Sequence, residues 1–336
     1  MIDRLESDIK KNWQYQLPLP LSVVCITYNH EKYIADAIEG FLVQETNFPF
    51  EIIIHDDASV DNTQNIILDY ARRYPKIIKP ICAAENQYSQ RNKNVLVIAA
   101  SHAQGKYIAI CEGDDYWIDK KKLQIQFDEM QKFPQCNLSY HPFIYHWVNK
   151  ANSQNVFARN CRRNAIFFTK DVITRKASIQ SSSVMIKKHV FENLPEWFYR
   201  ASAGDFLLQI LASHHAGVLY INKVMSLYRG CVPGSWSEKV STDECYAFNF
   251  YHNLLDSVKS MNQYFLFQYQ RECDLLTKKI ILLMCRMTVF SNTTRKKIYK
   301  KYKDKFNFAN KLIWFLVYRN EFICETLRKI KRSIKK

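Results

Sequence analysis

Glycine and proline are scarce, at 7 and 9 of 336 residues, which excludes a collagen-like or low-complexity chain. No run of 18 apolar residues occurs, so the sequence offers no bilayer-spanning helix; the nearest candidates are 280–284 and 312–317. The start, Met1 to Glu6, alternates charge with apolar residues and lacks the continuous apolar stretch of a secretion signal. The ten cysteines show no CxxC or paired-ligand spacing, and Cys25, Cys111 and Cys285 lie inside apolar stretches, where a thiol acts as a small hydrophobe. Neither structural zinc nor a disulfide scaffold is indicated, and a reducing cytoplasm is expected. What is present is globular: 47% hydrophobic residues, with 21 Phe and 20 Tyr, enough for a large α/β core.

Positive charge is concentrated at one end. Residues 271–336 hold 19 Lys and Arg against 5 Asp and Glu, whereas the first 270 hold 29 against 27. Basic blocks (Arg295 to Lys297, Lys300 and Lys301, Lys329 to Arg332) recur among Trp314, Phe315, Leu316 and Tyr318. A basic aromatic helix suits an anionic membrane surface. A solvated face is the plain alternative, and nucleic acid a third. No nucleic-acid motif accompanies the charge, so no nucleic-acid partner is expected.

Along the chain, a polar leader (1–20) precedes an apolar run at 21–27 that reads as a buried strand. Asn29 is placed to cap the next helix, where Ile34, Ala37, Ile38 and Phe41 share a face. Strands follow at 50–54, 77–83 and 106–111, separated by helices at 61–74 and 94–102. This alternation predicts a doubly wound, mostly parallel sheet, and such sheets bind ligands at the carboxyl ends of their strands. Shorter strands are expected near 166–168, 182–186 and 218–221, a helix near 205–212, and only helices beyond Glu238.

Three polar clusters fall just past strands: Thr27-Tyr28-Asn29, His55-Asp56-Asp57 and Glu112-Gly113-Asp114-Asp115. Carboxylates this crowded repel and raise one another's pKa. A hard divalent cation such as Mg²⁺ or Mn²⁺ relieves the repulsion. Asp56 and Asp57 can accept hydrogen bonds from a base or a ribose. His141 after a strand suits either an acceptor contact or a satisfied structural role.

Together the runs Val23 to Asn29, Asp56 to Thr63 and Glu112-Gly113-Asp114-Asp115-Tyr116-Trp117 resemble the family 2 glycosyltransferases, in the bacterial branch whose metal motif reads EGDDYW. The resemblance covers roughly 20–237 and leaves the basic end outside. It implies a GT-A fold over 21–237, with a nucleotide-binding half (21–118), an acceptor half (119–237) and a basic helical region (238–336). It also implies Mn²⁺ or Mg²⁺, a nucleotide-sugar donor (a UDP-sugar) and inversion in hexosyl or N-acetylhexosaminyl transfer to a saccharide. The basic end is expected to hold the enzyme at the inner face of the cytoplasmic membrane, where a lipid-linked saccharide is the acceptor.

By position, the resemblance assigns Thr27, Tyr28 and Asn29 to the donor pocket, and Asp56 or Asp57 to the uracil and ribose. Asp114 becomes the metal ligand, with Glu112 in the first place of the DxD motif and Asp115 beside the ribose or diphosphate. Asp205 is the catalytic base, with Gly204 standing where many members carry Glu; an N-cap is its plain alternative role. In the loop from Tyr228 to Ser237, Arg229 meets the diphosphate and Trp236 covers the donor. The branch's histidine in that loop is here Cys231, a ligand suited to softer metals. A nucleotidyltransferase on a related sheet would carry a Gly-rich phosphate loop after the first strand, where this chain has Thr27 to Glu31 without glycine. A non-enzymatic nucleic-acid binder and a degenerate scaffold are the remaining alternatives.

Overall fold

The computed structural model describes residues 4–14, 18–90, 94–148, 154–306, 311 and 314. The chain divides into two compact units, Met1–Val232 and Pro233–Lys336.

The first unit contains two sheets. Its strands are β1 (Leu21–Thr27), β2 (Phe50–Asp56), β3 (Ile78–Cys82), β4 (Tyr107–Glu112), β5 (Tyr116–Trp117) and β6 (Leu138–Tyr140). They continue with β7 (Phe143–Trp147), β8 (Gln154–Phe157), β9 (Ala165–Phe167), β10 (Met185–Lys187), β11 (Val218–Tyr220) and β12 (Ser226–Gly230). The large sheet has the order β3-β2-β1-β4-β10-β6-β11-β9, and the small one β5-β12-β7-β8. β3, β2, β1 and β4 run parallel, as expected. β10 then pairs antiparallel with both β4 and β6, so the sheet is mixed beyond that point.

The parallel half forms because its strands are apolar on both faces. Val23, Val24, Cys25, Ile52, Ile53 and Ile54 are fully buried, in keeping with helices on either side of a parallel sheet. The helix Ile34–Leu42 adds Ile34, Ala37, Ile38 and Phe41 to the core. The chain runs outward from β1 to β3 and returns on the other side of β1 as β4. The strand order therefore reverses between β1 and β4, the position at which such sheets open a crevice for ligands.

Two local expectations change. Asn29 does not cap the helix, which starts behind Tyr33. It adopts left-handed backbone (φ 56°), and its Oδ1 accepts from the Val60 amide at 2.9 Å, tying the loop after β1 to the loop after β2. The strand expected at 182–186 begins instead as a 3-10 turn, Ser181–Ser183, before β10. Trp117 Nε1 donates to the Ser182 carbonyl and Gln126 Nε2 to the Ser183 carbonyl, so side chains take the acceptors that a strand ladder would use. Behind this turn, Lys122 is fully buried 4.0 Å from the Trp117 ring centroid and donates to Gln126 Oε1 at 2.6 Å. Burial pulls its ammonium down to about 7. His141 is buried with Nδ1 2.9 Å from the Pro142 carbonyl, its Nε2 has no partner among the described residues, and burial holds it well below the ordinary histidine range.

The second unit is helical in its described part, with helices at Trp236–Thr242, Glu244–Tyr264, Gln270–Arg286 and Asn292–Tyr302. Phe250, Leu254, Val258 and Met261 of the longest helix are buried, as are Leu276, Ile280, Ile281 and Met284 of the next. Asp243 and Ser291 cap their helices through side-chain oxygens. Among the described residues, no helix is long and apolar enough to cross a membrane. Phe315, Leu316, Tyr318 and the block Lys329 to Arg332 lie outside the described residues.

Candidate active site

The crevice between β1 and β4 is built by backbone that approaches closely. The Gly113 amide donates to the Ile26 carbonyl at 2.9 Å, and a Cβ at Gly113 would overlap the Thr27 hydroxyl and press on His30. Only glycine lets the loop after β4 lie against the loop after β1. Thr27 Oγ1 and His30 Nδ1 are 3.1 Å apart, and His30 Nε2 faces Asp114 Oδ2 at 3.8 Å. Asp114 is 5% exposed, and its Oδ1 has no hydrogen-bond partner among the described residues. A buried carboxylate oxygen left unpaired is costly unless something binds it.

Its neighbours carry charge without relieving it. Desolvation and the carboxylates of Asp114 and Asp205 push Glu112 up to about 8, with a Ser181 hydrogen bond opposing. Asp205 is thus among the charges that act on Glu112, although it arrives on a helix remote in sequence. That helix, Gly204–Ser213, is capped by Ala203, so Asp205 lies inside its first turn, exposed, and is not the N-cap. Asp115 differs in kind. It is fully buried, and its oxygens accept from the Arg229 amide (2.9 Å) and Gln180 Nε2 (2.8 Å). Burial and the charges of Asp114 and Glu112 still hold its carboxyl well above the ordinary range.

The paired aspartates after β2 are also engaged. Asp56 accepts from the Ser59 hydroxyl and amide, and Asp57 from the amides of Gln87 (2.7 Å) and Tyr88 (3.0 Å). Each oxygen retains a second lone pair. Tyr28 is 39% exposed at the end of β1. Ala58 and Cys231, like Asn29, take left-handed backbone at the ends of β2 and β12. Such a conformation costs non-glycine residues about 1 kcal/mol or more, and it concentrates at functional loops.

Arg229 braces the acids from the other side. Its guanidinium donates to the Asp114 carbonyl at 2.9 Å, pairs with Asp36, and lies 4.5 Å from the Tyr116 ring centroid. Trp236 begins a helix of the second unit, 44% exposed, with its ring 5.1 Å from Phe250.

Comparison with known proteins assigns part of the chain to a family. A sequence profile described as "Glycosyl transferase family 2" matches residues 22–185, from β1 through the start of β10. This segment belongs to glycosyl transferase family 2.

An uncharacterized protein of Mycobacterium bovis is 34% identical over 218 residues, covering 64% of this chain and 60% of that relative's length. The chain thus spans less than two thirds of that relative. A second relative, the UDP-Glc:alpha-D-GlcNAc-diphosphoundecaprenol beta-1,3-glucosyltransferase WfgD of Escherichia coli, is 24% identical over 62% of this chain and 76% of its own. The crystal structure of Staphylococcus aureus TarS 1-349 in complex with UDP-GlcNAc aligns with a TM-score of 0.56 and 16% identity, covering 93% of this chain and 92% of that one. At that identity the likeness establishes the GT-A fold alone.

The family's metal can be tested against the residues present. Among the described residues, no three His, Cys, Asp or Glu side chains form a ready-made cage. The donor set nevertheless fits a Mg²⁺-type ion, which needs one or two carboxylates and takes its remaining oxygens from phosphate and water. Asp114 supplies the unpaired oxygen, with Glu112 beside it in sequence. Two contributors escaped the sequence reading. His30 lies three residues past Thr27 and was legible as a polar residue in a strand-end loop. Gln180 carried no signal, because its partner Asp115 is 65 residues away.

Proposed function

We propose that the chain is an inverting, metal-dependent glycosyltransferase that moves a sugar from a nucleoside-diphosphate donor to a saccharide acceptor. The observation that carries this reading is the buried Asp114 oxygen, unpaired among the described residues, at the strand-order reversal, where Asp114 and Asp205 both push Glu112 upward. A UDP-sugar is the favoured donor: WfgD is named for UDP-Glc, and TarS was solved with UDP-GlcNAc. WfgD's named acceptor, a diphosphoundecaprenol-linked GlcNAc, supports a lipid-linked saccharide here.

Tyr28 offers a ring for the base, and the free lone pairs of Asp57 and Asp56 accept from base and ribose. Asp114 and Glu112 would hold the metal, which when bound would neutralise charge on the departing diphosphate. Arg229 keeps the Asp114 peptide in place and contributes positive charge close by. Asp205 removes the proton from the acceptor hydroxyl as that oxygen attacks the anomeric carbon from the face opposite the diphosphate. The C–O bond to the acceptor forms while the bond to the diphosphate breaks, which inverts the centre.

A screen of UDP-, GDP- and dTDP-sugars with Mn²⁺, read by nucleoside diphosphate release, tests the reading. Release from one donor class, abolished by EDTA and restored by Mn²⁺ or Mg²⁺, is expected. Release that persists in EDTA refutes the metal, and none from any donor refutes the activity.

The basic second unit docks, in this proposal, on the cytoplasmic face of an anionic membrane. Lys296, Lys297, Lys300 and Lys301 are exposed on the helix Asn292–Tyr302, and each cation near anionic headgroups contributes about 1 kcal/mol. Sedimentation with phosphatidylglycerol vesicles should pellet the wild type and leave the fourfold Lys→Glu variant largely in solution. Equal pelleting of the two, or salt-independent pelleting, rules the docking out.

A further inference from the structure

The small sheet carries an aromatic face that the mechanism above does not use. β7 places Phe143, Tyr145 and Trp147 on one side by strand alternation. The register sets Tyr228 opposite Tyr145, Gly230 opposite Trp147, and Phe157 opposite Phe143. The rings touch in sequence. Tyr228 to Tyr145 is 5.1 Å between centroids, Tyr145 to Trp147 is 4.0 Å, and Tyr145 to Phe157 is 5.3 Å. Gly230 makes this possible, since any Cβ there would overlap the Tyr145 ring.

The two ends of this file differ. At the inner end, burial and the negative charges of Asp115, Glu112 and Asp114 hold the Tyr228 phenol far above its ordinary range. Burial chiefly, then Cys231 and Asp115, push Tyr145 in the same direction. Tyr228 directly precedes Arg229, whose amide donates to Asp115 Oδ1 at 2.9 Å, and Tyr145 packs on Tyr228, so the file begins beside the acidic pocket. At the outer end, every residue of β8 is exposed, Phe157 at 40%. The face thus runs from the carboxylates to solvent. A protein-docking patch would have no reason to begin at buried acids.

We infer that this face is the acceptor subsite, in which a pyranose chain lies with its C–H faces on Trp147 and Phe157 and its hydroxyls toward Tyr145 and Tyr228. The inference rests on the glycosyltransferase reading and names where its acceptor sits. A pyranose is apolar on its ring faces and polar around its rim. Flat aromatic plates that end in phenol hydroxyls match both characters. A saccharide laid along the file presents its terminal hydroxyl toward the acidic pocket at the Tyr228 end, and extends its remainder toward β8.

Saturation-transfer NMR with methyl glycosides of glucose, galactose, N-acetylglucosamine and rhamnose tests this, with UDP and Mn²⁺ binding measured separately by calorimetry. At least one glycoside is expected to bind the wild type. Trp147→Ala and Phe157→Ala should each weaken it about tenfold, and Trp147→Phe should restore most of the loss, with UDP·Mn²⁺ affinity unchanged throughout. The unchanged donor affinity also certifies folding, and Phe157, on an exposed strand, tolerates truncation. The proposal is overturned if no glycoside binds the wild type, or if glycoside binding survives both alanine variants. Failure of UDP·Mn²⁺ to bind the wild type sinks the donor reading alone, because the glycosides are titrated independently.

Discussion

Asp205→Asn should lower the rate of sugar transfer by about a hundred- to ten-thousand-fold, the range that a positioned general base supplies. The substitution keeps the size and helix position of the side chain and removes only its ability to take a proton. Asp205 is exposed in the first turn of its helix, so the fold has little at stake. Donor affinity, measured by calorimetry with UDP and Mn²⁺, should stay within about threefold of the wild type, since less than 1 kcal/mol is at issue. The loss belongs in kcat. Parallel loss of donor binding, or transfer at the wild-type rate, would remove Asp205 from the role of base.

Asp114→Asn should weaken Mn²⁺ binding in the presence of UDP by at least about a hundredfold, read by electron paramagnetic resonance of free Mn²⁺. Changes to groups that merely orient a ligand already cost about 10–100-fold, and this one removes the charged oxygen itself. The bond from the Arg229 guanidinium to the main-chain carbonyl of residue 114 survives the change, so the loop should keep its shape. The same variant should be more stable in the absence of metal. It removes one of the carboxylates that push Glu112 up to about 8, and relief of about 1 kcal/mol raises Tm by about 2–4 °C. Tighter folding with lost metal binding is the signature of a carboxylate placed for a ligand. Unaltered Mn²⁺ binding would show that another group holds the ion.

The parallel half of the sheet was legible because its signals are local. β1, β2 and β4 each hold an apolar stretch (Val23 to Ile26, Ile52 to Ile54, Tyr107 to Cys111), and turn residues and helical periodicity separate them. The segment expected as a strand at 182–186 was misread in part. Its apolar character is real, but Trp117 and Gln126, distant in sequence, claim its first carbonyls. Asn29 was misread for a similar reason, because its partner is the Val60 amide in the loop after β2 and not the helix ahead.

The sequence by itself placed Thr27, Asp57, Glu112 and Asp114 at the ends of strands, because strand length and period are written in nearest neighbours. Only the tertiary structure decided which acids are free. Asp115 is satisfied by Arg229 and Gln180, and Asp57 by Gln87 and Tyr88, whereas Asp114 keeps a bare oxygen. A carboxylate's chemistry depends on what donates to it, and those donors come from stretches of chain that meet only after folding. The same holds for the aromatic file on the small sheet, whose members come from β7, β8 and β12 and become one surface only through their register.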